Sequence, residues 1–297
     1  MANGVATALP TPTHFAALKR AIRSFALLRE SWVGMVGAGI IVFWVVVAIL
    51  APLISPFDPL ATLQPFAKPG TEFAKGGTFW LGTDHIGRDV LSRIIWGSRT
   101  VLIYAPLATF TAYAVGILMG LAAGYKRGWV DDLLSRISDI ILSFPVLVLY
   151  IIIIATIGAS GINIIIAITF ASAPGVMRIV RGLVLDLRNR DYVAAAQTRG
   201  ESAWHIMLIE ILPNARGPLI VDACLRMGYV IITIGVLGFL GLGLPPPDPD
   251  WGGMINETRQ MAMFAPHMTL YPCIAISSLI LGFNLLADGL REISLRD

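Results

Sequence analysis

Residues 140–177 read IILSFPVLVLYIIIIATIGASGINIIIAITFASAPGVM, and no Asp, Glu, Lys or Arg interrupts them. About 20 apolar residues, each rising 1.5 Å, cross about 30 Å of hydrocarbon. This stretch is too long for one crossing. Gly158-Ala159-Ser160-Gly161 falls inside it, and clustered small residues of this kind mark a tight connection. The stretch therefore reads as a helical hairpin of two spans, over about 133–157 and 161–180.

The remaining sequence repeats the pattern. Uncharged stretches at 31–57, 100–125, 227–247 and 260–287 are also long enough to cross. The 227–247 span is expected to begin earlier, near Pro218, with Asp222 and Arg226 in its first turns. Six transmembrane helices result. Of 297 residues, 56% are hydrophobic and only 14% charged, with mean hydropathy +0.75. A soluble domain averages about 45–50% apolar and about 25% charged. The fold class is all-α integral membrane, which excludes a soluble enzyme, a disulfide scaffold and a disordered regulator. Cys224 and Cys273 both lie in apolar stretches and read as small hydrophobes rather than as a disulfide or metal site.

Orientation follows from the basic residues. Residues 1–31 carry Lys19, Arg20, Arg23 and Arg29 ahead of a full-length apolar span, so the first helix (32–54) reads as uncleaved and preceded by a cytoplasmic segment. With that end inside, segments 1–31, 126–136, 178–216 and 288–297 hold four, three, six and two Lys or Arg. Segments 55–99 and 244–267, placed outside, hold five and one. The bias puts both termini in the cytoplasm. The net charge of +3 and pI of 9.0 are explained by these loops without any nucleic acid.

Within the spans, Gly116, Gly120 and Gly124 recur every four residues and line one helix face. Small residues there let another helix approach closely, either in the same chain or across a subunit boundary. Gly235, Gly238, Gly241 and Gly243 suggest a bendable or close-packed outer end to the fifth span. Asp222 and Arg226 stand four apart and share a helix face, as an intramembrane ion pair or as transport groups. Asp139 and Asp288 are placed at inner ends of their spans, and no carboxylate falls at the centre of one.

Motifs for chemistry are missing. The sequence has no Gly-x-x-x-x-Gly-Lys-Ser/Thr loop, no Gly-x-Ser-x-Gly elbow and no His-Glu-x-x-His pair. His14, His85, His205 and His267 lack metal-ligand spacing. The chain is read as non-enzymatic, with no catalytic, cofactor or metal residues. Uphill transport would then draw energy from a partner or an ion.

The most basic inner connection, over 181–217, contains Asp191-Tyr192-Val193-Ala194-Ala195-Ala196-Gln197-Thr198-Arg199-Gly200 and then Glu201-Ser202-Ala203-Trp204. Alanines favour helix and Gly200 can end it in a left-handed cap. Glu201 suits the start of a second helix, along which Trp204, Leu208, Ile211 and Leu212 share one side by spacing. Pro213 stops that helix or turns it into the next span. The expected product is a helix–turn–helix on the membrane face, small enough for a groove in another protein.

The spacing of Ala195-Ala196, Gly200 and Ile211-Leu212-Pro213 resembles the "EAA" loop of ABC importer permeases. Leu81-Gly82-Thr83-Asp84…Gly87-Arg88-Asp89 and the loop Leu244-Pro245-Pro246-Pro247-Asp248-Pro249-Asp250-Trp251-Gly252 resemble segments of the peptide-type members. So does the ending Phe283-Asn284-Leu285-Leu286-Ala287-Asp288-Gly289. One departure stands out: Ala194 occupies the position where that family usually has Glu.

This resemblance implies a type I importer permease fold with a core over 100–288, an outer segment 55–99 and a cytoplasmic tail 289–297. It implies a permease subunit in the cell inner membrane that imports dipeptides or oligopeptides with a second, homologous permease. Two ATP-binding subunits would bind and hydrolyse the ATP, so this chain needs no cofactor. An extracytoplasmic solute-binding protein would deliver the solute, with Asp248, Asp250 and Trp251 available for contact. Opines, glutathione-like compounds or nickel chelates are alternative solutes. A stand-alone ion-coupled transporter is the alternative mechanism, though it would need midplane ionisable groups or inverted repeats.

Overall fold

The structure is a computed structural model that describes residues 31–245 and 247–294. The basic segment with Lys19, Arg20, Arg23 and Arg29, together with Pro246 and the last residues of the tail, lies outside them. Helix follows helix: α1 (Trp32–Ile54), α2 (Val90–Lys126), α3 (Trp129–Leu142), α4 (Val146–Ile157) and α5 (Gly161–Leu187). The short α6 (Asp191–Thr198) precedes α7 (Ala203–Phe239), then α8 (Trp251–Thr258) and α9 (His267–Ser294). Of these, α1, α2, α5, α7 and α9 are each long and apolar enough to cross a membrane.

The sixth crossing differs from the single 133–157 helix expected. It is the pair α3 and α4, bent by 89° at residues 143–145. Pro145 is the cause, since it lacks an N–H and its ring clashes with the preceding turn. The hairpin after it forms where the glycines predict. Gly158 ends α4 at φ +90°, and Ser160 caps α5 by accepting from the Asn163 N–H. The expected start of α2 at residue 100 also moves, to Val90. Asp89 accepts from the Ser92 N–H at 2.7 Å and starts the helix nearly three turns earlier. The last span starts at His267, where the segment placed outside ends, directly after Pro266.

The bundle has two ends. At the first, residues 55–89 and 240–266 form a cap, which includes a small hairpin of β1 (Thr71–Glu72) and β2 (Thr78–Phe79). Phe57, Phe73 and Phe79 cluster beneath that hairpin. At the other end lies the helical loop carrying α6. Ser31 donates to Glu292 there at 2.8 Å, so the start of α1 and the end of α9 share that side. Two apolar clusters fill the interior. One, nearer the cap, centres on Trp44, Ile94, Tyr150, Ile234, Leu237 and Trp251. The other, nearer the loop, centres on Leu121, Val176, Val180, Val184, Ile206 and Ile211.

Helices α2 and α5 make the most extensive contact, and its cause is the glycine row. A Cβ on Gly116 would lie 2.5 Å from Val176 Cβ, one on Gly120 2.5 Å from Val180 Cβ, and one on Gly124 2.7 Å from Val184 Cβ. The row therefore serves packing inside this chain. Exposed Val42, Phe43, Ile49, Leu53, Phe110 and Ile162 face outward, as lipid-facing residues do.

Candidate functional site

The helical loop is built as two helices around a glycine turn. The Gly200 N–H donates to Gln197 O at 3.0 Å and the Glu201 N–H to Ala196 O at 3.2 Å. This paired closure with a left-handed glycine, φ +75°, is a Schellman cap. A Cβ at Gly200 would meet nothing within 4 Å. The glycine is required by backbone conformation, not by crowding. Val193 and Ala196 are fully buried against Ile206, Met207, Ile211 and Ala215, while Asp191, Ala194, Ala195, Gln197 and Arg199 are exposed. Tyr192 packs at the edge of that cluster.

Two expectations for this loop change, and one left open is decided. Most of 181–217 belongs to α5 and α7, leaving only residues 188–202 between spans. Of the two outcomes open at Pro213, the helix runs into the next span rather than stopping, since α7 continues through it. Residues 206–211 form a wide π turn just before it, and the wider turn relieves the clash of a proline ring with the preceding carbonyls. The stripe of Trp204, Leu208, Ile211 and Leu212 is also split. Trp204 is 49% exposed and Leu208 39%, whereas Ile211 is fully buried. The π turn shifts the register, so Ile206, Met207 and Ile211 face inward instead. Lys126 sits over the Trp204 ring at 5.8 Å.

Beside the turn, Glu201, His205 and Glu210 bring their ligand atoms within 4.8 Å of one another. Arg199 already supplies the cation: it bonds Glu201 at 2.7 Å and Glu210 at 3.3 Å. The i,i+4 spacing of Glu201 and His205 was the only sequence signal for this cluster. At the same end of the bundle Arg181 grips Asp131 with two bonds, 2.5 and 2.7 Å, and Arg178 pairs with Asp139. These pairs tie α3 to α5.

Within the membrane, Arg226 Nε donates to Asp222 at 2.7 Å, as the spacing predicts. Tyr113 of α2 also donates its hydroxyl to Asp222, a partner that no sequence spacing reveals. Beside the pair lies a cavity of about 330 Å³, lined by Tyr150, Ser172, Arg226 and Thr233 among others.

The cap places the outer-loop residues differently from expectation. Trp251 is fully buried and its Nε1 donates to Ile94 O at 3.0 Å, against the Trp44 ring. Asp250 is 3% exposed and caps α8 by accepting from the Gly253 N–H at 2.9 Å. Neither can meet a partner from the surface. Gly238 lies against Asp250 and Gly235 against Gly252, so the α7 glycines serve close packing of α8. Burial pushes the Asp250 carboxyl up to about 6. Asp248 alone of the three is exposed, beside a recess with Phe57, Asp58 and Trp96.

The motif at 81–89 folds into a buried ionic cluster. Asp84 accepts from the backbone N–H groups of Ile86 and Arg88 and pairs with Arg88 Nε at 2.6 Å and Arg93 at 2.8 Å. Glu257, which sequence spacing did not flag, pairs with both arginines. The cluster locks residues 81–93 to α8.

Comparison with known proteins fits this geometry. The architecture resembles a chain of the MetNI methionine ABC transporter in inward-facing conformations, with a TM-score of 0.56 over 69% of this chain and 96% of that one, at 17% identity. The dipeptide transport system permease protein DppC of Alkalihalophilus pseudofirmus is 37% identical over 95% of this chain and 92% of its own. The di/tripeptide transport system permease protein DppC of Pseudomonas aeruginosa is 36% identical over 95% and 93%. The glutathione transport system permease protein GsiD of Pectobacterium atrosepticum is 40% identical over 72% and 71%. Residues 19–69 match the N-terminal TM domain of oligopeptide transport permease C. Residues 116–297 match the binding-protein-dependent transport system inner membrane component, and the chain belongs to that family of ABC transporter permeases.

Proposed function

We infer that this permease forms, with a second homologous permease, the membrane path for importing dipeptides or oligopeptides. Two ATP-binding subunits docked on the helical loop would drive it, and an extracytoplasmic binding protein would supply the solute. One observation carries this reading. Helix α6 exposes Asp191, Ala194, Ala195 and Gln197, while Val193 and Ala196 on its other face are sealed against α7. A push on α6 therefore moves α7 as one body, a two-state element that a partner can bias. The short-peptide solute is supported by relatives named for dipeptides and for glutathione, itself a tripeptide. Other solutes carried by the family, such as opines or nickel chelates, are the second reading.

Ala194 at the family's Glu position leaves the contact to shape and to neighbours such as Asp191 and Arg199. The excess of Lys and Arg in the loop segments supports cytoplasmic termini. At the opposite end, exposed Asp248 and its recess are offered to the binding protein.

The test is reconstitution. Proteoliposomes holding both permeases, the ATPases and the binding protein should accumulate alanyl-alanine only with ATP. Concentrative uptake by this chain alone would overturn the reading in favour of an ion-coupled transporter. A cysteine at position 188 labelled from outside intact cells would overturn the orientation.

A further inference from the structure

We propose that the guanidinium of Arg226 is a solute-binding group within the membrane, taking the carboxylate of the passing molecule. The inference rests on the import reading above and names the site where that solute is held. Arg226 stands about 20 Å along the helix axis from Phe239, at 1.5 Å per residue. That depth lies inside the hydrocarbon. An ionised side chain there faces protein or a water-filled cavity rather than lipid.

Arg226 faces protein on one side and a cavity on the other. Asp222 takes its Nε at 2.7 Å, and no second carboxylate pairs with it among the described residues. The Asp222 carboxylate is also held by the Tyr113 hydroxyl. The side chains of Asp222 and Arg226 remain 20% and 24% exposed. The two terminal nitrogens lie over Gly175 of α5, where an added Cβ would stand 3.2 and 3.4 Å from them. The missing side chain leaves the fork room on that side.

The cavity of about 330 Å³ is large enough for a small solute group. Its wall brings Arg226 together with hydroxyl-bearing Tyr113, Tyr150, Ser172, Tyr229 and Thr233. It lies at the seam between the two apolar clusters, with Tyr113 in one and Tyr150 in the other. A planar fork whose terminal nitrogens have no carboxylate partner among the described residues, backed by hydroxyls, is the arrangement that recognises a carboxylate in two-point fashion. A purely structural Asp–Arg pair would not need the cavity beside it.

The experiment uses the complete transporter in proteoliposomes, with alanyl-alanine and glutathione as probes, since both carry carboxylates. Arg226→Gln should lower the initial uptake rate of whichever probe the wild type carries by tenfold or more. Complex assembly, read as co-purification of all the subunits, should stay at the wild-type level. Arg226→Lys, which keeps the charge but not the fork, should retain an intermediate rate. The double variant Asp222→Asn/Arg226→Gln should remain as slow as Arg226→Gln. Recovery of uptake in the double variant would reveal a structural ion pair and overturn the proposal. Wild-type rates in Arg226→Gln would overturn it too. If Arg226→Gln fails to assemble, Arg226→Lys decides: an intermediate rate supports the site and a wild-type rate overturns it. A wild-type complex that moves neither probe would instead overturn the solute reading, and this site with it.

Discussion

Arg93 and Glu257 lie 164 residues apart and meet at 3.0 Å in the cap, while the same Arg93 nitrogen holds Asp84 at 2.8 Å. Asp84 and Arg93 are each 2% exposed. Removing one partner from such a cluster leaves uncompensated buried charge, which costs about 3 kcal/mol. Glu257→Gln should therefore lower the melting temperature of the detergent-solubilised protein clearly. Asp186→Asn, which breaks the exposed pair with Arg190, should change it little, since such pairs contribute about 0.3–0.5 kcal/mol. Equal effects of the two variants would show that the cap cluster does not stabilise the fold.

The glycines of α2 and α5 give a contrast within one helix pair. Gly120→Val would drive a branched side chain into Val180, whose Cβ would stand 2.5 Å from the new Cβ. Overpacking of this kind costs about 1–3 kcal/mol, and here the neighbour is another helix that would have to move. A Cβ at Gly182 of α5 meets nothing within 4 Å. Gly182→Ala should be neutral or stabilising by up to about 1 kcal/mol from helix propensity. Thermal unfolding of both variants checks the pair.

How far these features could be read from sequence depends on whether they are local. The apolar runs, the glycine hairpin at Gly158 and the left-handed turn at Gly200 follow from a few adjacent residues; the hairpin and the turn form where expected, and the runs become spans whose ends shift or, at Pro145, break. The pairing of Asp222 with Arg226 needs only helical spacing. The burial of Asp250 and Trp251 is different. It depends on Gly235 and Gly238 making room for α8 and on the Ile94 carbonyl waiting on α2. A polar, proline-rich loop gives no sign of that. The early start of α2 escaped for a related reason: Arg93 looks too polar for a buried helix until Asp84 and Glu257 are found beside it. The π turn before Pro213 is a local compromise between a proline and a continuing helix, and spacing alone cannot choose between stopping and widening.

Burial of Asp250 predicts a pH signature. Its carboxyl is raised from 3.8 to about 6 because its surroundings desolvate the charge. The folded protein therefore holds this proton more tightly than the unfolded chain does. The stabilising contribution of the neutral acid is complete below about pH 4 and is lost as the pH rises through about 6. A shift of this size corresponds to about 3 kcal/mol. Asp250→Asn removes the titration while an amide oxygen can still cap Gly253. The difference in melting temperature between variant and wild type should move in favour of the variant between pH 4 and pH 7, then level off. A difference independent of pH would mean that Asp250 is ionised throughout.

The turn at Gly200 separates conformation from contact. Because a Cβ there touches nothing, any effect of substitution comes from the backbone at φ +75°. An ordinary residue held in that region costs about 1–2 kcal/mol, and Asn tolerates it best. Gly200→Asn should keep both stability and ATP-driven uptake in the reconstituted complex. Gly200→Val strains the cap, loosens α6 from Ile206 and Ile211, and should lower uptake per ATP hydrolysed by severalfold while the spans still insert. The decisive quantity is that ratio, measured on the same vesicles for all three proteins. If Gly200→Val leaves it unchanged, the loop does not transmit motion through this turn, and coupling must run through another part of the chain.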